Sequence, residues 1–350
     1  MTAEPKHRAA LKEREQSILR HVVYNYIQTA IPVGSRYIAK HFEPGLSPAS
    51  IRNVMADLED SGFLSHPHTS AGRVPTDVGY RFYIDFLMDA EELDEKDKKQ
   101  IRQQLDQVSD TDELLRETSR LLGRISHQLS IVTSPHLGSG IFEKIELIPV
   151  SASKLLSVIS IRAGIVRTIM LEIGAEIKRD RLDHVGRLLN ERLSGLTLKE
   201  IRETFPDRVK DVRDEKTGLI RLFVESVDQL FTDTKDREKV HVGGTKGLIE
   251  QPEFIDPRNF RSVIELIDNE DIIVHLLEKH DEMEQGFVVT VGKENKEEST
   301  KEYSVVTTRY DVNEVTGRIG IIGPKRMDYA KVIPLVDFVA QTVAKMMSAA

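Results

Sequence analysis

Apolar residues recur at helical spacing from the start of the chain. Ile18, Leu19, Val22, Val23, Tyr26 and Ile27 form one stripe, which predicts a helix over Leu11 to Thr29. Ile31-Pro32-Val33-Gly34 breaks it. Ser35 then reads as the N-cap of a short helix, Arg36 to Phe42, with Ile38, Ala39 and Phe42 facing inward. After the turn Glu43-Pro44-Gly45-Leu46, Ser47-Pro48 places a capping hydroxyl ahead of proline in the first helical position. That third helix runs to about Ser61 and stops at Gly62. Two short helices about a Pro/Gly turn form a helix-turn-helix pattern. Phe63 to His66 follows as a short strand, His68 to Gly72 as a polar loop tip, and Arg73-Val74-Pro75 as the return, so a β-hairpin wing is expected. Thr76 caps a further helix through Met88, rich in aromatic residues.

Beyond residue 90 the pattern changes. Nine of the twelve residues in 91–102 are charged, and a helical pattern continues to about Thr133, which predicts a solvated connector. Strand-like runs occupy Lys144 to Val150, Leu155 to Ile161 and Ile165 to Ile173. Helical spacing takes over in 181–236, then a strand about a glycine turn at Val240 to Ile249, then helices at Arg258 to Ile267 and Asp271 to Lys279. Strands return at Gly286 to Val291, Tyr303 to Tyr310 and Thr316 to Ile322, and Asp328 to Met347 forms a last helix. Lys293 to Glu302, with seven charges in ten residues, reads as a mobile hairpin loop. A sheet opened by three strands, interrupted by helices and completed by three more implies an α+β chain with an inserted subdomain.

Length and charge narrow the class. At 350 residues, two or three domains are expected. No run approaches the roughly 18–20 apolar residues of a membrane span, and Met1 to Ala10 lacks a signal-peptide core. With no cysteine, disulfides and thiolate chemistry are excluded, and a cytoplasmic location is expected. Net charge is −8, yet residues 1–90 hold 10 basic and 10 acidic side chains, so the remainder carries all of it. Such a neutral segment is not the footprint of a non-specific DNA binder; DNA contact would depend on locally placed cations and on dimerisation.

The third helix carries the candidate chemistry. Ile51, Val54, Met55 and Leu58 are spaced to face a core. The opposite face presents Ala49, Asn53 and Ala56, flanked by Ser50 and Arg52. Small residues let a helix sink into a major groove, and Arg and Asn pair bidentately with guanine and adenine edges. Asp57, Glu59 and Asp60 lie toward the C-terminal end, where a recognition helix leaves the groove. The N-terminal amides behind Ser47 favour a phosphate. Arg36 suits the phosphate backbone, and Arg73 on the hairpin suits a phosphate or minor-groove contact.

With these residues in view, the chain resembles the HrcA family of heat-inducible transcription repressors. The runs carrying the resemblance are Gly34-Ser35, Ser50 through Glu59, His68 through Thr76 and Gly79-Tyr80-Arg81. Gln128 through Val132, Val242-Gly243-Gly244-Thr245 with Pro252-Glu253-Phe254, and Gly320 through Tyr329 extend it across nearly the whole chain, in order. The resemblance implies a winged-helix domain, a GAF-like domain and a dimerisation domain inserted into it; joined to the residue pattern, this gives a winged helix-turn-helix over 1–90, a helical connector over 91–133, a GAF-like domain from 134–175 and 259–350, and the inserted dimerisation domain at 176–258. It also implies a homodimer on an inverted-repeat operator ahead of chaperone genes, assisted by a GroEL-type chaperonin. By position, Ala49, Ser50, Arg52 and Asn53 take the groove-facing role and Arg73 the wing role.

Other motifs point to structure rather than chemistry. Gly317, Gly320 and Gly323 lack the strand-to-helix setting of a dinucleotide site and are expected as turn glycines. Gly243-Gly244-Thr245-Lys246-Gly247 is expected as a hairpin turn. His66 and His68 lack a third metal ligand, and His275 and His280 are spaced five apart, off the shared face of a helical zinc pair. No Ser/His/Asp set can be assembled, so a non-enzyme without cofactor or metal is expected. Gating by a small ligand in the GAF-like body is an alternative resting on fold analogy; a GAF-related hydrolase with an incidental winged helix would need converging polar residues in one cleft.

Overall fold

The computed structural model describes residues 11–67, 72–89, 91–108, 110–135, 140–162, 166–174, 177–212, 218–231, 240–254, 257–269, 272–273, 276–277, 286–295, 300–312 and 315–349. The chain divides into two compact units, one of Met1–Val132, His241–Arg309 and Arg318–Val343, the other of Thr133–Val240, Tyr310–Gly317 and Ala344–Ala350.

The first unit begins with helix α1, Glu13–Thr29, which buries Ile18, Leu19, Val22, Val23 and Ile27. It ends where Ala30 turns left-handed (φ 55°) and donates its N–H to the Tyr26 carbonyl. Helix α2 is Ser35–His41, with Gly34 rather than Ser35 in the capping position. Helix α3 is Pro48–Asp60. A two-stranded hairpin follows, β1 Leu64–Ser65 and β2 Val74–Pro75, in antiparallel register Leu64↔Pro75. Helix α4, Asp77–Phe82, widens into a π-type turn at Tyr83–Leu87. The loop between β1 and β2 was expected to carry His68 at its tip; His68 to Ala71 lie outside the described residues.

The expected single connector helix is two helices and a strand. Helices α5, Glu95–Leu105, and α6, Thr111–Ser126, bury Ile101, Leu105, Leu114, Leu115, Leu121 and Leu122, so the charged run is only the outer face of a packed pair. Strand β3, Leu129–Thr133, is buried along its whole length.

The chain then enters the second unit. Strands β4, Phe142–Ser151, β5, Lys154–Ile161, and β6, Val166–Glu172, form a three-stranded antiparallel sheet. Helices α7, Arg179–Leu193, α8, Leu198–Val209, α9, Leu219–Glu225, and α10, Val227–Phe231, share a core with that sheet: Phe142, Ile159, Leu189, Ile201, Phe205 and Phe223 are all buried in it. On the β4 edge, the Asn190 amide accepts from the Ile145 N–H (2.6 Å) and donates to its carbonyl (3.1 Å), satisfying a free strand edge from a helix.

After α10 come β7, Val240–Gly243, helix α11, Thr245–Ile249, helix α12, Pro257–Asp268, and strands β8, Phe287–Val291, β9, Tyr303–Val312, and β10, Val315–Pro324, which lie in the first unit apart from Val240 and Tyr310–Gly317. Helix α13, Tyr329–Ala349, closes the chain. The second sheet runs in the order β7-β3-β10-β9-β8. The early strands therefore do not join the late ones, contrary to the single interrupted sheet read from the sequence. Strand periodicity reports a half-buried face but not which partner pairs with it. The second unit takes in the three early strands, together with the helices up to Val240 and the segments Tyr310–Gly317 and Ala344–Ala350.

Two glycine expectations change as well. Gly244 (φ +75°) caps α11 and joins strand to helix, with no hairpin there. Gly317, Gly320 and Gly323 all lie within β10 rather than at a turn. A Cβ on Gly317 would fall 2.3 Å from the Tyr310 ring, so its smallness admits an aromatic side chain. The charged loop after β8 is pinned where it is described, since Asn295 is buried and donates to the Thr300 and Tyr303 carbonyls.

Candidate nucleic-acid interface

Helix α3 starts on its cap. The Ser47 hydroxyl accepts the Ser50 N–H at 3.1 Å, and the two serine hydroxyls lie 3.0 Å apart. Pro48 needs no hydrogen bond in the first turn. Ile51, Met55 and Leu58 bury one face, with Val54 half-buried beside them. The opposite face leaves Ala49, Arg52 and Asn53 exposed and Ser50 and Ala56 partly so. The Arg52 and Asn53 side chains have no hydrogen-bond or ion-pair partner among the described residues. Ser47 and Ser50 are engaged with each other, so their geometry suits capping. Arg36 is exposed in the first turn of α2.

Arg73 differs from its expected position on a projecting tip. It sits at the base of the hairpin, where its backbone N–H and carbonyl both pair with Val33 at 2.9 Å. Its guanidinium reaches the Glu59 carboxylate at 2.6 Å, and the two side chains are only 24% and 22% exposed. Glu59 also takes the His66 imidazole Nδ1. In the sequence Glu59 stands as a peripheral acid and His66 as a histidine without a metal set, yet the two meet. The seven-residue separation of 59 and 66 spans a helix end and a strand, so no periodicity could signal the contact.

Thr76 joins the hairpin to α4. Its hydroxyl caps the helix by accepting from Gly79 N–H (3.1 Å) and donates to the Gly62 carbonyl (2.6 Å). A Cβ on Gly79 would lie 2.2 Å from the Phe63 carbonyl oxygen, so α4 closes on β1 only because residue 79 has no side chain.

The three-helix head is tied to the rest of the first unit by charged groups. Arg81 donates to both carboxylate oxygens of Glu294, to Asp85 (3.2 Å) and to the Val289 carbonyl (2.6 Å). Burial works against the Arg81 charge, but the hydrogen bond and charge of Glu294 outweigh it and raise its pKa. Asp77 receives the Lys293 N–H (3.1 Å) and the Lys325 ammonium (3.2 Å). Arg326 pairs with Glu253 and donates to Gln251 (2.9 Å) and the Ile27 carbonyl (3.3 Å). Tyr80 packs 6.4 Å from Tyr329, and burial pushes both hydroxyls well above the ordinary tyrosine range. The motif runs Gly79-Tyr80-Arg81 and Gly320 to Tyr329, far apart in sequence, face each other across this contact.

Elsewhere on the head, His21 stacks on Phe42 with ring centroids 4.5 Å apart and lies 4.0 Å from Glu43. Burial lowers its pKa, with Glu43 opposing and Arg20 adding to the shift. Among the described residues no three His, Asp or Glu side chains gather as a metal set, and no helix is long and apolar enough to cross a membrane. His275 and His280 lie outside the described residues.

Against this geometry, the family model described as the HrcA protein C terminal domain matches residues 112–333. A protein of Chlorobium phaeobacteroides (strain BS1), named heat-inducible transcription repressor HrcA, is 41% identical over 348 residues, covering 97% of this chain and 99% of that one. A namesake in Chlorobium chlorochromatii (strain CaD3) is 40% identical, covering 97% and 98%. A solved crystal structure described only as a hypothetical protein superimposes with a TM-score of 0.56 at 21% identity, covering 97% and 99% of the two chains, a likeness of fold.

Proposed function

The chain belongs to the HrcA family of heat-inducible transcription repressors, a non-enzymatic regulator family, and from that premise we propose how it recognises its operator. The head over 1–90 acts as a winged helix-turn-helix, with α3 in the major groove and the β1–β2 hairpin as its wing. The observation that carries this reading is α3 itself, capped by Ser47, anchored by Ile51, Met55 and Leu58, and presenting Ala49, Arg52 and Asn53 outward. Ala49 and Ala56 keep the helix slim, Arg52 and Asn53 read base edges, and Arg36 with the Ser47–Ser50 end contacts phosphate. The part of the first unit built on the β7-β3-β10-β9-β8 sheet serves as the GAF-like body.

The repressor works as a homodimer on an inverted repeat, each head reading one half-site. The second unit supports this through the solvent face of its sheet. Ile148, Leu156 and Met170 stand in one row across its three strands, and Val150 and Val166 are 54% and 59% exposed. An apolar sheet face of that kind is what a partner copy covers. As the family resemblance implies, a GroEL-type chaperonin assists repression of chaperone genes by raising the fraction of competent dimer, in the cytoplasm.

A second reading, gating by a small ligand, is favoured by one cavity. It measures about 330 Å³ and is lined by Leu93, Ile125, His127, Lys331, Val332 and Leu335 among others. A metabolite that raises the melting temperature and changes operator affinity together would support it.

The test of the main reading is a gel-shift titration on inverted-repeat operator DNA beside a scrambled duplex, with and without chaperonin. Operator-selective binding improved by chaperonin is the expected result. Equal, weak binding to both duplexes overturns the recognition-helix assignment.

A further inference from the structure

We propose that Glu59 determines specificity as a positioning residue, by holding Arg73 away from the DNA backbone and fixing the hairpin against α3. The inference rests on the reading of α3 as the DNA-reading helix. An acid in the last turn of such a helix is misplaced twice over. Its charge opposes the phosphates, and it lies at the negative end of the helix dipole, where α3 has no basic residue to offset it. Glu59 nonetheless stands at a half-shielded position and takes two partners from the hairpin, His66 as β1 ends and Arg73 as β2 begins. Three chain segments therefore converge on one carboxylate.

The consequence falls on Arg73. A basic side chain beside a recognition helix would normally add a sequence-independent phosphate contact. Here the guanidinium faces Glu59 at 2.6 Å. Its Nε is buried with no acceptor among the described residues, so the side chain holds this orientation even with one donor unmet. The backbone of Arg73 is fixed by Val33, which leaves the side chain little freedom to swing outward. Arg73 is thus spent inside the protein, in keeping with a head whose charges balance and whose binding depends on fit.

The experiment measures affinity by fluorescence anisotropy on operator and scrambled duplexes across a salt series. Wild type, Glu59→Gln and the double variant Glu59→Gln/Arg73→Gln are compared, each checked for folding by circular dichroism. In Glu59→Gln the freed arginine gains a phosphate. The slope of log K against log salt then steepens by about 0.9, scrambled-DNA affinity rises about 3- to 10-fold, and the operator preference shrinks. The double variant returns to the wild-type slope. An unchanged slope and preference in Glu59→Gln, with wild type still selective, overturns the inference alone. A wild type that does not discriminate the duplexes overturns the DNA-reading helix and this inference with it. Should Glu59→Gln fail to fold, the charge-neutral double variant decides: a slope flatter than wild type by about 0.9 means Arg73 already touched phosphate, and an unchanged slope upholds its engagement with Glu59.

Discussion

Arg52 and Asn53 face solvent from a helix whose opposite side is fully committed to the core, so their replacement should leave the fold intact. Arg52→Ala is expected to weaken operator binding by about 1–3 kcal/mol while changing scrambled-DNA affinity much less, because a bidentate base contact is lost. Equal losses on both duplexes, read by anisotropy, would make Arg52 a phosphate contact instead. His21 gives a second expectation at this scale. Its folded pKa lies below the ordinary histidine value, so between the two values the unfolded chain binds more protons. The stability it contributes is complete above about pH 6.5 and is lost as pH falls toward the folded pKa. Thermal melts from pH 7.5 to 5.5 should therefore show a smaller acid-side decline for His21→Phe, which keeps the stacking on Phe42 without titrating. An identical decline in the variant would assign the acid sensitivity elsewhere. These residues differ in how far the sequence alone reveals them. The outward place of Arg52 follows from helical spacing alone, whereas the engagement of Arg73 depends on where a hairpin base meets a helix end. No one-dimensional pattern encodes that meeting.

Helices α1 and α3 were legible because each carries one complete apolar stripe and ends on a recognisable cap or break. Ser47 lets that reading be checked. Its hydroxyl satisfies the Ser50 N–H, so Ser47→Ala should cost about 1 kcal/mol of stability in chemical denaturation, and Ser47→Gly only a few tenths. Matching losses for alanine and glycine would mean that the cap contributes through something other than its hydroxyl. Gly79 makes a sharper case, since the carbonyl of Phe63 is backbone and cannot rotate aside. Gly79→Ala must part α4 from β1, at a cost of about 1–3 kcal/mol, outweighing the helical gain of alanine over glycine. A stabilised variant would show that the hairpin shifts freely. The strands were less legible than the helices for the same physical reason. Alternation marked β4, β5 and β6 as half-buried, but the face they bury is covered by α7 to α10, and a sheet's partner is chosen by packing over long sequence separations. The charged connector misled in the opposite sense: Ile101 and Leu105 are sparse among lysines and glutamates, yet two residues one turn apart suffice to seat α5.

At the scale of the molecule, the chain leaves the first unit after β3 and re-enters it at β7, and these two strands are neighbours in one sheet. The stretch from β4 to α10 therefore departs from and returns to adjacent strands, so its removal is expected to leave β3 and β7 paired. The stretch from Phe142 to Phe231 also has its own core. If the Ile148–Leu156–Met170 row is the contact between copies, replacing 134–239 with a short Gly/Ser linker should leave a folded chain that runs as a monomer in light scattering. Its operator affinity should fall far more than that of any single base-contact variant, because linked heads bind two half-sites at a high effective concentration and separate heads do not. The two links in this argument can be separated by charging the sheet face alone. Met170→Lys sits on an exposed position and should spare the fold, yet break the dimer and weaken operator binding in parallel. A monomeric Met170→Lys that still binds the full operator like wild type would detach DNA affinity from dimerisation. A dimer surviving excision of the unit would move the interface onto the sheet that bears the head, and with it the geometry that sets the distance between half-sites.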